Sequence, residues 1–164
     1  AKLKNGAGPR HFALHPDGQR AWCVNELDLT VTAFSYDADR GELHAGETVS
    51  TLPPDVTDRT GFSCAEIAVH PHGTFLYASN RGHDSIAMFR IVGDTNTLEF
   101  LGVEPTRAKT PRHFAIAPGG KFLLAGGQAS NNVTVFAIDN ETGRLTFTGT
   151  SVEVPNPMCV AFRL

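Results

Sequence analysis

Arg10-His11 and Arg112-His113 are identical dipeptides inside near-identical strings, Pro9-Arg10-His11-Phe12-Ala13-Leu14 and Pro111-Arg112-His113-Phe114-Ala115-Ile116. Between them, Cys64-Ala65-Glu66-Ile67-Ala68-Val69 carries a glutamate where the other two carry histidine. Glu26 follows Asn25, and Arg81 follows Asn80 with His83 two residues on. Guanidinium forks bind carboxylate and phosphate bidentately, and a carboxylate beside them can move a proton. This set of residue types suits a small polar or anionic ligand. The competing reading is that repeated arginines and histidines bond carbonyls between structural units. It weighs more on Arg112 and His113, which follow a repeat, than on Glu26 and Arg81, which break one.

The repeat decides where these residues stand. His15-Pro16-Asp17-Gly18 returns as His70-Pro71-His72-Gly73 and as Ala117-Pro118-Gly119-Gly120, first 55 and then 47 residues further on. The same offsets relate Val31-Thr32-Ala33-Phe34 to Ile86-Ala87-Met88-Phe89 and Val133-Thr134-Val135-Phe136, and Leu43 to Leu98 and Leu145. Within a unit, His11 to Leu14, Arg20 to Val24, Thr30 to Tyr36 and Glu42 to Val49 read as short strands between turn signals. Pro-Asp-Gly and Pro-His-Gly mark the turn between the first two strands, and Asp39-Arg40-Gly41 and Glu141-Thr142-Gly143 mark that between the last two. Four antiparallel strands in a unit of about 50 residues describe a β-propeller blade. The expected fold is therefore all-β, with blades at about 9–56, 63–110 and 111–156 and the start of a further one at 157–164.

Three blades and a stub do not close a ring, which takes about four to eight. The expectation is a fragment of a longer chain, or copies that associate to complete the ring. Open blade faces predict aggregation or self-association of the isolated piece. In an antiparallel meander, the start of the first strand and the end of the second share an edge. Arg10, His11, Glu66, Arg112 and His113 lie at the first place, and Glu26, Arg81 and Gln128 at or just beyond the second. With the first strand innermost, all of them ring one mouth of the central channel.

Composition excludes several alternatives. Over 164 residues, 14 basic and 17 acidic side chains leave a net charge of −3, which gathers neither nucleic acid nor anionic lipid. No apolar run is long enough to span a bilayer, and Ala1-Lys2-Leu3-Lys4-Asn5 lacks the apolar stretch of a signal peptide. Cys23, Cys64 and Cys159 are odd in number and far apart, which reads as reduced thiols in a cytoplasmic protein. His11 with His15, and His70 with His72, lack a third ligand at a fitting distance, so no metal is expected. His15 and His70 read as turn caps. Trp22, Phe34, Phe89 and Phe136 read as blade core, and Asp55 to Gly61 as an insertion that lengthens the first offset. There is neither a Gly-x-Ser-x-Gly elbow nor a phosphate-binding P-loop, and no cofactor is implied.

Gly6-Ala7-Gly8-Pro9-Arg10-His11, Asn25-Glu26-Leu27 and above all Ser79-Asn80-Arg81-Gly82-His83-Asp84-Ser85-Ile86 resemble the lactonase β-propeller family. That family includes bacterial 6-phosphogluconolactonases and fungal carboxy-muconate lactonising enzymes, and the likeness covers essentially the whole chain as the later half of a seven-bladed ring. The resemblance implies a site in which Arg10, Arg81 and Glu26 match two arginines and a glutamate, while a histidine from an earlier blade has no counterpart here. It implies hydrolysis of 6-phosphoglucono-δ-lactone, a phosphorylated sugar lactone. Glu26 would act as acid and base, Arg10 and Arg81 would bind the oxyanion, and His11, Glu66, His83, Arg112 and His113 would contact substrate. Carboxy-muconate cyclisation and a non-catalytic binding module are the alternatives.

Overall fold

A computed structural model describes residues 1–163 of the chain. Among them are three four-stranded sheets, each an antiparallel meander in chain order. The first holds β1 (Pro9–Leu14), β2 (Arg20–Asn25), β3 (Thr30–Asp37) and β4 (Glu42–Ser50). The second holds β5 (Ser63–Val69), β6 (Phe75–Arg81), β7 (Ser85–Ile91) and β8 (Leu98–Pro105). The third holds β9 (Pro111–Ile116), β10 (Phe122–Gly127), β11 (Asn132–Ile138) and β12 (Leu145–Glu153). Gly18, Gly73 and Gly120 take φ of 72°, 76° and 69° in the turn after each first strand, as the Pro-x-Gly signals require. No helix occurs among the described residues, so none is long and apolar enough to cross a membrane.

The sheets stand side by side as propeller blades, with β1 against β5 and β5 against β9. Successive residues of a strand point to opposite faces, so the middle blade packs on both sides. Leu76 and Ala78 join Trp22, Val31 and Phe89 in one apolar layer, while Phe75 and Tyr77 join Phe114, Leu123 and Phe136 in the other. Burying one such side chain completely is worth about 1.5–3 kcal/mol.

Polar stitches repeat along the two seams. The Nε2–H of His15 donates to the Gly73 carbonyl and that of His70 to the Gly120 carbonyl, each at 2.9 Å. Their Nδ1 atoms accept the N–H of Asp17 (3.1 Å) and His72 (3.2 Å) in their own turns. These histidines therefore cap a turn and also bind the next blade, where the sequence suggested only the cap. Likewise the Trp22 Nε1–H donates to Asn96 O (3.1 Å) and the Tyr77 hydroxyl to Gly143 O (3.0 Å). The inter-blade insertion is a loop whose Val56 and neighbouring Phe62 pack on the first core layer.

One expectation fails locally. Residues 157–163, read as the first strand of a further blade, are not assigned to a strand, and the Val160 N–H donates to His113 Nδ1 at 3.3 Å; Leu164 lies outside the described residues. Phe12, Leu14, Phe122 and Val152 are exposed on the two flanking sheets.

Candidate functional site

Each innermost strand is irregular where it carries the polar residues. The pairing of β1 with β2 slips between Pro9 and His11, so Arg10 is the extra residue. That of β5 with β6 slips between Cys64 and Ile67, around Ala65 and Glu66. That of β9 with β10 slips between Pro111 and His113, at Arg112. A bulge interrupts strict in–out alternation and re-aims side chains. Arg10 and His11 can thus serve one site although they are sequence neighbours.

Glu26, just past β2, is clasped from two sides. Arg81 donates through Nη2 to Glu26 Oε1 and to the Cys64 carbonyl (3.0 Å). Arg10 Nε lies 3.4 Å from Glu26 Oε2, and Arg10 Nη1 donates to the Ala65 carbonyl at 2.6 Å. The Cys64 N–H donates to the Glu26 carbonyl at 2.9 Å, which ties this corner of the first blade to the second. Arg81 Nε is buried and has no hydrogen-bond partner among the described residues.

Glu66 forms a second node. His11 Nδ1–H donates to both of its oxygens at 2.9 Å, His113 Nε2–H to Oε2 at 2.9 Å, and the Ile67 N–H to Oε1 at 2.9 Å. One carboxylate thereby holds imidazoles from both neighbouring blades. Burial pushes the Glu66 carboxyl up, yet the bonds from His113, His11 and Ile67 outweigh it and hold it below the usual carboxylate range. Burial lowers Arg10 from its ordinary value, Arg81 and then Arg112 add to this, and Glu26 and Glu66 oppose it. Arg10 thus feels both Arg81 and Arg112. Arg112 has no carboxylate partner among the described residues. Three guanidiniums against two carboxylates leave a positive surplus for an anion.

His83 stands apart from this group. It bonds the Ser85 hydroxyl at 2.7 Å, meets Phe62 edge-on, and borders a cleft of about 420 Å³ with Asp84, Arg107 and Lys109. None of Glu26, Glu66, Arg10 and Arg81 lines that cleft; the charged group lies outside it. Among the described residues, no group of three or more histidine, cysteine or acidic side chains is placed to hold a metal ion. Cys64, beneath Arg81, is pushed up to about 11 by burial and is no nucleophile at neutral pH.

Sequence reasoning missed the backbone partners, namely the Cys64 and Ala65 carbonyls and the Val160 N–H that donates to His113 Nδ1 at 3.3 Å. No residue type signals them, since they depend on where the bulges fall.

The arrangement can hold an anionic oxygen on arginine while a carboxylate or imidazole exchanges a proton beside it. The profile described as lactonase, 7-bladed β-propeller, matches residues 1–162. A 6-phosphogluconolactonase of Bacillus subtilis is 41% identical over 157 residues, covering 96% of this chain and 44% of that protein. A crystal structure of a Lactobacillus plantarum protein superposes with a TM-score of 0.91 at 32% identity, over 97% of this chain and 46% of the other. The structure of a periplasmic gluconolactonase from Pseudomonas aeruginosa gives 0.88 at 31% identity, over 96% and 43%. The chain thus spans less than half the length of these three proteins.

Proposed function

The chain belongs to the 7-bladed β-propeller lactonase family, and from that premise we propose that it supplies the central part of a site hydrolysing a phosphorylated sugar lactone, 6-phosphoglucono-δ-lactone. The observation that carries this reading is the Glu26 carboxylate set between Arg10 and Arg81 at the bulged inner strands. Each Glu26 oxygen takes one arginine and keeps a lone pair for a water proton. Arg10 and Arg81, fixed by backbone carbonyls, are preorganised for the oxyanion of the tetrahedral intermediate. Arg112, free of a carboxylate, is the cation for the substrate phosphate, with His11 and His113 as further contacts. Free Cys23, Cys64 and Cys159 fit a reducing compartment such as the cytoplasm.

The test is turnover of freshly generated lactone by the full chain, coupled to NADP reduction, with Glu26→Gln and Arg10→Ala beside the parent. Each variant is expected to lose about a hundredfold or more, the usual size of one acid–base or oxyanion group. A parent no faster than spontaneous hydrolysis overturns the reading; turnover of a carboxy-muconolactone instead would move it to the cyclising chemistry.

A further inference from the structure

The two imidazoles on Glu66 differ in what their second nitrogen faces. His113 is engaged at both, donating through Nε2 to Glu66 and accepting the Val160 N–H at Nδ1 (3.3 Å), with Cys159 Sγ 3.6 Å from Nε2. His11 spends only Nδ1 on Glu66. Its Nε2 lies 3.2 Å from Arg10 Nη1, and its side chain is 39% exposed against 23% for His113. A buried carboxylate on one imidazole nitrogen, with the other nitrogen beside the arginine that would hold the substrate, orients a histidine for proton transfer.

Arg10 relates this dyad to Glu26. The guanidinium whose Nη1 lies beside His11 has its Nε 3.4 Å from Glu26 Oε2, so Glu26 and His11 flank one arginine. In a lactone the carbonyl oxygen and the ring oxygen share one carbon. An arginine that holds the carbonyl oxygen therefore has a base on one side and an imidazole on the other, within reach of the two positions where protons must move.

Resting on the hydrolytic reading above, we propose that His11, oriented by Glu66, is the general acid for the departing ring oxygen. Water adds to the carbonyl carbon as Glu26 takes its proton, and the carbonyl π electrons move onto the oxygen held by Arg10. The oxyanion then reforms the double bond. The ring C–O bond breaks with its electron pair on the ring oxygen, which takes the proton from His11 Nε2 and becomes a hydroxyl. Glu26 returns its proton through solvent to His11, which resets the pair, and the new carboxyl group ionises. The charged groups facing His11 are Glu66 from β5 and Arg10 of its own strand, and His113 shares Glu66.

The experiment is the pH dependence of kcat and kcat/KM for the full chain with the sugar lactone, comparing the parent with His11→Asn, His11→Gln, Glu66→Gln and Glu26→Gln, each checked for folding by circular dichroism. Loss of His11 is expected to lower kcat about a hundredfold with KM nearly unchanged and to abolish the alkaline fall of the profile. Glu66→Gln should move that fall to lower pH, and Glu26→Gln should remove the acid limb instead. A rise in KM with kcat intact, or an alkaline limb that survives both His11 variants, overturns the assignment while leaving lactone hydrolysis standing. A parent without lactone turnover removes both.

Discussion

Replacing Gly120 with alanine probes the stitch between the second and third blades. Two costs follow from the geometry. Gly120 has φ of 69°, where an alanine is strained by about 1 kcal/mol. Its new Cβ would also lie 2.7 Å from Nε2 of His70, a side chain with no exposed surface. The ring must then withdraw from the Gly120 carbonyl, and a buried donor without an acceptor costs about 1–3 kcal/mol. The total is about 2–4 kcal/mol. Gly93 provides the comparison, with φ of 54° and open space around its Cβ, so Gly93→Ala should cost only about 1 kcal/mol. Urea unfolding of both variants, and of His70→Ala with and without Gly120→Ala, measures the difference. In the His70→Ala background the glycine substitution should fall back to about 1 kcal/mol, a coupling of about 1–3 kcal/mol. Equal costs at positions 120 and 93, or a Gly120→Ala effect unchanged without His70, would refute the seam as drawn.

Two further outcomes are expected. Burial raises the Asp17 carboxyl, but the bonds from the Gln19 N–H and Arg20 together outweigh it and bring it down to about 2, so its contribution is complete above about pH 4 and fades as pH falls through 2. Since the side chain is one-third exposed, Asp17→Asn should cost about 1 kcal/mol or less at pH 7 and nothing near pH 2; a gap that stays constant in acid urea titrations contradicts this. Asp84 Oδ1 accepts the N–H of Thr110 at 2.8 Å, and Thr110 sits at φ 55° just before Pro111 and the Arg112-His113 pair. Asp84→Ala should lose about 1–2 kcal/mol, with Thr110→Gly recovering part of it because glycine takes that φ freely; absence of any recovery in the double variant argues against Asp84 holding Thr110 in that conformation.

Much of the architecture was legible because the signals are local and repeated. Three Pro-x-Gly turns at matching offsets fix the hairpins, and the alternation of Leu76 and Ala78 with Phe75 and Tyr77 gives the middle blade its two apolar faces. The gathering of Arg10, Glu26 and Arg81 follows from strand direction alone. The His11–Glu66–His113 node does not, since it depends on bulges that rotate each inner strand and on the relative turn of adjacent blades. His83 shows the same limit from the other side. Named with His11, Arg112 and His113 as a substrate contact, it instead meets Phe62 and Ser85 and borders a separate cleft.

Glu66 is held by one histidine from each adjoining blade, and Glu26 by an arginine from its own blade and one from the next. No sheet owns either node. If the first two blades part by an ångström, every strand can keep its own ladder while Glu26 loses Arg81 and Glu66 loses His11. Chemistry should therefore fail at a milder denaturant concentration than β-sheet content. The chain's most fragile cooperative unit would then be the contact between its sheets, with the sheets themselves outlasting the site they share.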